Sequence, residues 1–388
     1  MFNMQLPECK LFNAPSNNYY WRQEQPTLRE RKRFSGGEFA VLIIGGIVLI
    51  FVLIITFIPL IPESRDHEVY NNRGVSYAKE GQYDEAILNY TKAIEINPRY
   101  ANAYYNRGST YDDKGEYDLA ILDYNKAIEI DPKFALAYNN RGLAYSVKEQ
   151  FNHAITDYNK AIEIDPKFAL AYNNRGSAHD KKGEYDLAIY DYNKAIEIDP
   201  NDAKAYYNRG LAYRHKGQYN LALSDYNKAI EINPKFAEAY TNRGFLYADR
   251  KQYDLAISDC NKAIEINPML AEAYNNRGHA YLNLRLYDRA ISDYNKTLDI
   301  NPRSAEAYNN RGLAYGSKGL YDEAIFDHSM AIEINPSLAE AYNNRGLAYY
   351  FKGEYKKAWE DVRKAQGLGY KIHPEFLNAL RKASGEQE

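Results

Sequence analysis

The hexapeptide AYNNRG begins at Ala137 and returns word for word at Ala171, Ala273, Ala307 and Ala341. Close variants fill the places between: VYNNRG from Val69, AYYNRG from Ala103 and Ala205, AYTNRG from Ala239. Neighbouring copies stand 34 residues apart. A fixed period of this length marks an array of like units, each burying its apolar face mainly against its neighbours. The period overrides the two or three ordinary domains that 388 residues would suggest by length alone.

One unit, ANAYYNRGSTYDDKGEYDLAILDYNKAIEIDPKF (Ala101–Phe134), shows the local logic. Tyr104, Gly108 and Tyr111 share one face of a helix, which Gly115 breaks. Tyr117, Ala120, Ile121, Tyr124, Ala127 and Ile128 form a second apolar stripe at helical spacing. Asp131-Pro132 ends that helix, because proline cannot continue the hydrogen-bond ladder and restricts the residue before it. Gly74, Gly108, Gly142 and their six equivalents never vary. A glycine inside a helix costs about 1 kcal/mol relative to alanine. Its retention predicts that another helix approaches too closely for a side chain, with Ala120 and Ala127 as the matching small surfaces. Large tyrosines fill the remaining space, which accounts for 39 of them in one chain.

Glycine, tyrosine, alanine, an aromatic, alanine and proline at these intervals resemble the tetratricopeptide repeat. The resemblance implies an all-α fold: antiparallel helix pairs stacked into a right-handed α-solenoid, its first helices lining a concave groove. Nine helix-turn-helix units cover 67–372 (67–100, 101–134, 135–168, 169–202, 203–236, 237–270, 271–304, 305–338 and 339–372). The sequence departs from the family pattern in places. Tyr70, Tyr104, Tyr138 and their equivalents replace its tryptophan, and an arginine replaces the leucine before the glycine. Cys260 and His328 replace the second-helix aromatic, and Tyr370 stands where the ninth unit should carry proline. Residues 373–388 are read as a C-terminal capping helix and tail, Phe376, Leu377 and Leu380 covering the last apolar face, as an open-ended stack requires.

Residues 39–61, FAVLIIGGIVLIFVLIITFIPLI, carry no charge. As a helix rising about 1.5 Å per residue they are long enough for a hydrocarbon core of roughly 30 Å, and they predict one transmembrane helix before the repeats. The run is too long and too far from the N-terminus for a cleavable signal. Arg29, Arg31, Lys32 and Arg33 precede it, whereas Glu63, Asp66 and Glu68 accompany Arg65 after it. The positive-inside rule then sets the N-terminus in the cytoplasm and the repeats in a periplasm, a lumen or the extracellular space. Residues 1–38, rich in Asn, Gln and Pro, read as a disordered tail whose basic end faces anionic lipid.

Comparison of the nine copies separates stacking from recognition. The arginine is invariant (Arg73, Arg107, Arg141, Arg175, Arg209, Arg243, Arg277, Arg311, Arg345). Eight second helices carry an aspartate to match it (Asp123, Asp157, Asp191, Asp225, Asp259, Asp293, Asp327, Asp361), while the first has Asn89. A buried charge needs a hydrogen-bonded partner, so a ladder of ion pairs is expected in preference to a partner's carboxylates. The second asparagine is invariant too: Asn72, Asn106, Asn140, Asn174, Asn208, Asn242, Asn276, Asn310 and Asn344. Relatives that hold extended peptides use such a row, since an amide offers donor and acceptor to any peptide group. Bonding within the stack is the alternative. Glu238, Glu272, Glu306 and Glu340 share a register and predict an acidic edge to this groove. Another register (Val75, Ser109, Leu143, Ser177, Leu211, Phe245, His279, Leu313, Leu347) mixes polar and apolar residues. A basic or apolar-anchored extended segment suits these two registers. With Asn71 and Val75 in the first unit, the lysine and asparagine clamp of chaperone-tail binders is absent.

A net charge of -3, balanced within the units, argues against nucleic acid. Seven histidines fall at unlike repeat positions, with neither H-x-x-x-H spacing nor a Cys/His cluster for metal. Cys9 and Cys260 flank the apolar segment and are not expected to pair. No P-loop, dinucleotide fingerprint or nucleophile elbow occurs, and the tail, span, repeats and cap leave no room for a catalytic domain. No cofactor is therefore expected. The sequons at Asn89 and Asn295 fall on inward-facing helix positions and are read as chance. The reading is a non-catalytic, membrane-anchored scaffold that binds a protein or peptide in its groove. The alternative is a structural spacer or self-assembling array at the membrane.

Overall fold

The computed structural model describes residues 66–385. The expected tail (1–38) and transmembrane helix (39–61) lie outside the described residues. Among those described, no helix is long and apolar enough to cross a membrane. Every element is helical, and they fall into two compact units divided between Pro166 and Lys167. The first holds three helix pairs: α1 (Asp66–Lys79), α2 (Tyr83–Ile96), α3 (Ala101–Asp113), α4 (Tyr117–Ile130), α5 (Ala135–Val147) and α6 (Phe151–Ile164). The second holds six pairs and a last helix. They are α7 (Ala169–Lys181), α8 (Tyr185–Ile198), α9 (Ala203–His215), α10 (Tyr219–Ile232), α11 (Ala237–Asp249), α12 (Tyr253–Ile266) and α13 (Ala271–Asn283). Then follow α14 (Tyr287–Ile300), α15 (Ala305–Ser317), α16 (Tyr321–Ile334), α17 (Ala339–Phe351), α18 (Tyr355–Gly367) and α19 (Pro374–Ser384).

Turn chemistry sets these boundaries. Gly115 stops α3 with φ of 78°. The N–H of Glu116 reaches back to the carbonyl of Tyr111 (2.8 Å), closing the helix end with a left-handed residue. Glu149, Lys251 and Arg285 hold the same backbone at φ of 58–60° without being glycine. At the other end of the pair, Asp131 is extended before Pro132. Its carboxylate accepts from the N–H of Lys133 (2.9 Å), turning the chain straight into α5.

The invariant glycines sit where the two helices of a pair cross. A Cβ on Gly142 would stand 2.8 Å from the Tyr158 ring and 3.1 Å from the Ala154 carbonyl oxygen. Gly74, Gly108, Gly176, Gly210 and Gly278 meet the equivalent tyrosine in the same way. The close approach was expected, but its partner is chiefly the second-helix ring, not an alanine methyl. The alanines, Ala120 and Ala127 among them, are fully buried alongside. Cys260 and His328 stand in the ring's place against Gly244 and Gly312.

The capping helix forms as expected, over Pro374–Ser384. The His373 ring accepts from the N–H of Glu375, and Pro374 occupies the first turn, where its missing N–H costs nothing. Phe376 and Leu380 are buried and Leu377 is partly so. Trp359 Nε1 donates to Ser384 Oγ (3.0 Å), tying the cap to α18.

His328 carries a measurable consequence. It is fully buried, its Nδ1 lies 3.1 Å from Asn309 Oδ1, and burial with Arg345 nearby pushes its pKa down to about 3. A depressed histidine contributes stability that is present above its unfolded pKa and lost as pH falls below it. With an unfolded value of about 6.5, the loss runs from there toward the folded value. Urea unfolding at pH 7 and pH 4.5 should show His328→Tyr, which restores the ring of the other pairs, retaining on the order of 2–3 kcal/mol that the parent loses. Equal losses in both chains would show that His328 is not buried neutral.

Candidate binding face of the first helices

Each letter of AYNNRG has a physical place. Its alanine (Ala103, Ala137, Ala171 and equivalents) is buried without remainder. The arginine guanidinium lies over the tyrosine ring three residues earlier, at 5.4–5.8 Å in the eight later copies. Its Nε and Nη2 grip both oxygens of the aspartate of the same pair at 2.5–2.9 Å, from Arg107–Asp123 to Arg345–Asp361. The expected ion pairs form, each within its own repeat. Arg73, facing Asn89, makes no such pair among the described residues; it lies over Tyr70 instead.

A third contact was not foreseen. The remaining nitrogen, Nη1, crosses to the second helix of the preceding pair. Arg141 reaches Asn125 Oδ1 (2.5 Å), Arg209 reaches Asn193, Arg243 Asn227, Arg277 Asn261 and Arg311 Asn295. Thr91 and Ser329 serve Arg107 and Arg345. The asparagine of the recurring YNKA motif was the available signal. Asn295 is exposed, not inward as its sequon was read, and its Oδ1 is engaged by Arg311; Asn89 is buried as expected. At Arg107 the hydrogen bonds to Asp123 hold the guanidinium above its ordinary range against the effect of burial. At Asp157 burial is the larger influence and raises the carboxyl, opposed by the hydrogen bonds and charge of Arg141.

The second asparagine also faces along the stack. In the first unit Asn106 Nδ2 donates to Asn71 Oδ1 (3.0 Å) and Asn140 Nδ2 to Tyr105 Oη (3.1 Å). In the second unit Asn208 donates to Asn173, Asn242 to Tyr207 Oη, Asn276 to the Thr241 carbonyl, Asn310 to Asn275 and Asn344 to Asn309. Asn276, Asn310 and Asn344 are buried, which makes them stack contacts and narrows the expected peptide row. Asn106, Asn140, Asn174, Asn208 and Asn242 are half-buried and Asn72 is exposed.

The acidic register is brought together only in part. Glu238 and Glu272 both act on Tyr207, whose half-buried phenol they help hold above its ordinary pKa, burial being the larger cause. Arg214 Nη1 donates to Asn242 Oδ1 (2.8 Å), the same amide that bonds Tyr207, and the guanidinium lies 5.2 Å from the Phe245 ring. Burial lowers the pKa of Lys204, and Asp202 and Glu238 oppose it. Glu340 acts instead on Tyr370, before the cap, and Glu306 is half-buried. One face of α9 to α13 therefore gathers cation, anion, amide and aromatic groups, the mixture that recognises polypeptide. Among the described residues no group of His, Cys, Asp and Glu could hold a metal.

The family model for the tetratricopeptide repeat matches residues 101–134, 135–168, 203–236, 237–270, 271–304 and 305–338, over half of the chain. Related models for the same repeat match 74–112, 157–190, 181–216 and 339–368. A search of curated proteins returns no match. Among solved structures, a chain of the APC/C hetero-tetramer Cut9-Hcn1 is similar with a TM-score of 0.58 at 22% identity, over 69% of this chain and 52% of that one. This chain thus spans about half the length of that relative. A tetratricopeptide repeat protein from Parabacteroides merdae gives 0.50 at 23% identity, over 65% and 99%. YrrB, described as a TPR protein with an unusual peptide-binding site, gives 0.40 at 28% identity, over 47% and 95%.

The ion-pair ladder predicts a clear asymmetry. Asp157→Ala, which leaves a guanidinium without its partner, should cost about 3–5 kcal/mol in urea unfolding. Arg141→Met with Asp157→Leu should cost distinctly less, because no charge is then stranded. A double variant as damaged as the single would show that the contact is replaceable by neither charge nor packing.

Proposed function

The chain belongs to the tetratricopeptide repeat family, and from that premise we propose that it is a non-catalytic scaffold holding an extended segment of a partner protein along its first helices. Repeats of this family are suited to protein interaction. The observation that carries the finer reading is the group around Tyr207. Glu238, Glu272, Arg214 and Asn242 meet there on one face, where a plain stacking surface would need no charge. The half-exposed amides of Asn208 and Asn242, in the same unit, add donors and acceptors that fit a peptide backbone whatever its sequence. A photo-crosslinking residue at Ser109 or Phe245, on first helices, should capture polypeptide. The same residue at Leu122 or Phe326, exposed on second helices, should not. Capture confined to the second-helix positions would overturn the proposal. Adducts only between copies of this chain would favour the self-assembling spacer.

The apolar run at 39–61, with basic residues on its N-terminal side, supports an anchored chain whose repeats lie across the membrane from the cytoplasm. Under that reading the chain resists alkaline carbonate extraction, and deletion of 39–61 moves it to the supernatant. A parent chain released by carbonate would remove the anchor from the proposal and leave the scaffold.

A further inference from the structure

Nine equivalent positions close the first helix of each pair against its neighbours. At Ala78, Ala248 and Leu282 that position is buried and apolar. In the second pair it is Asp112. Its Oδ1 is buried, and the carboxylate makes no hydrogen bond or ion pair among the described residues. The nearby lysine is already engaged: Lys114 Nζ bonds Asp84 (2.8 Å) and Glu116 (3.1 Å). The residue as a whole is half-buried, but a carboxylate oxygen held away from water without a partner is costly. Where equivalent positions carry alanine or leucine, stacking does not demand it.

A second orphan adjoins it. Tyr124 is fully buried, its hydroxyl has no hydrogen-bond partner, and Asp112 is the charge acting on it most strongly. The Asn140 amide is also close, but its hydrogen bond goes to Tyr105 Oη (3.1 Å). The Tyr105 ring lies 6.0 Å from that of Tyr124 and 4.9 Å from that of Phe134, so an aromatic wall adjoins the Tyr124 ring. Two unfilled oxygen acceptors next to aromatic faces match an ammonium or guanidinium on an apolar stem. The half-exposed carboxylate takes its N–H donors and the rings its stem and charge.

We propose that Asp112 and Tyr124, walled by Tyr105, form an anchor site for a basic side chain, lysine or arginine, of the segment held along the first helices. The inference rests on the scaffold reading and specifies its partner: an extended segment with a basic residue at the second pair.

Burial, and then the charge of Asp113, raises Asp112 from 3.8 to about 7. The ionisable groups facing it are Asp113 on α3, Tyr124 on α4 and Tyr158 on α6, the last hydrogen-bonded to Ser146 (3.1 Å). Neither phenol titrates near neutrality, so the carboxyl alone changes charge between pH 6 and 8. A cation binds the ionised form, and affinity follows the ionised fraction. That fraction rises about tenfold from pH 6 to pH 8 for a group titrating near 7. Asn in place of Asp112 removes both the buried charge and the attraction. The folded carboxyl takes up a proton more readily than the unfolded one, so its charge destabilises the chain once pH rises above the unfolded value.

The test uses the full chain in uncharged detergent at low salt, with fluorescent octalysine as probe, followed by anisotropy. The parent should bind saturably and about tenfold more tightly at pH 8 than at pH 6. Asp112→Asn should bind at least tenfold more weakly at pH 8, show no such pH dependence and melt at a higher temperature than the parent. Glu129→Gln, an equal charge change on an exposed second-helix site, should bind within about twofold of the parent. Absence of saturable binding, equal binding by Asp112→Asn at pH 8, or a parent affinity flat in pH would each overturn the anchor; the flat result is what a bridging water as the sole occupant gives. Capture at Ser109 by another polypeptide would still support the scaffold in that event, so the two readings fail separately.

Discussion

The guanidinium of each repeat is the fixed point around which the stack is organised. From the second repeat on it grips the aspartate of its own second helix and covers the tyrosine of its own first helix, and at Arg141, Arg209, Arg243, Arg277 and Arg311 it reaches an asparagine of the preceding pair. Five donors in a rigid plane suit this threefold task, which an ammonium on a flexible stem could not perform. The same planar fork sets the spacing between pairs, because its Nη1 finds the asparagine only when the neighbouring pair is in register. With the register set, the glycine one residue later meets the ring of the second helix, and a Cβ has no room. Polar geometry and close packing thus select the same arrangement, which is what makes a repeated sequence specify a single structure.

A buried charge pair is a costly way to join helices when leucine, the residue this position resembles elsewhere in the family, would bury apolar surface instead. Its use eight times points to specificity rather than strength. An apolar seam leaves the angle between two helices loosely set. A bidentate pair with a third contact fixes how the two helices of one pair meet and how the preceding second helix lies against them. The aspartates show the strain of this choice, since burial raises Asp157, Asp225, Asp293, Asp327 and Asp361 above the ordinary carboxylate range against the pull of their arginines.

Helix pairs, their turns, the close approach at the glycines and the arginine–aspartate partners were legible in the sequence, because each follows from spacing within one repeat, whereas the ring that meets those glycines was not. The turn at Lys251 was legible in place but not in conformation: its left-handed backbone at φ of 60° is imposed by neighbours on a residue that does not favour it. What escaped was lateral. Asn125 lies sixteen residues before the arginine it serves, on another pair, and nothing in its own repeat singles it out. The asparagine row shows the same limit. Invariance said that Asn276, Asn310 and Asn344 matter, but only their burial separates stacking from exposure to a partner. Invariance across copies measures what every interface needs, so it marks structure first.

Recognition is therefore better sought where the copies disagree. Within the register that closes the first helix, alanine and leucine give way to Asp112, Asp180 and Arg214, each at a buried or half-buried place. Asp180 has the His215 ring beside it at 3.3 Å, and Arg214 has Asn242 and Phe245. These charges have found partners inside the fold and can be read as local repairs to a polar substitution. Asp112 has none among the described residues, and the hydroxyl it faces has none either. In a register whose other charges are answered by a neighbouring repeat, the unanswered carboxylate is a departure. Stacking selected the Tyr124 ring, which packs on Gly108, but it does not demand Asp112, since the alanine at position 78 serves as well. A donor that arrives from outside the repeats fits this place.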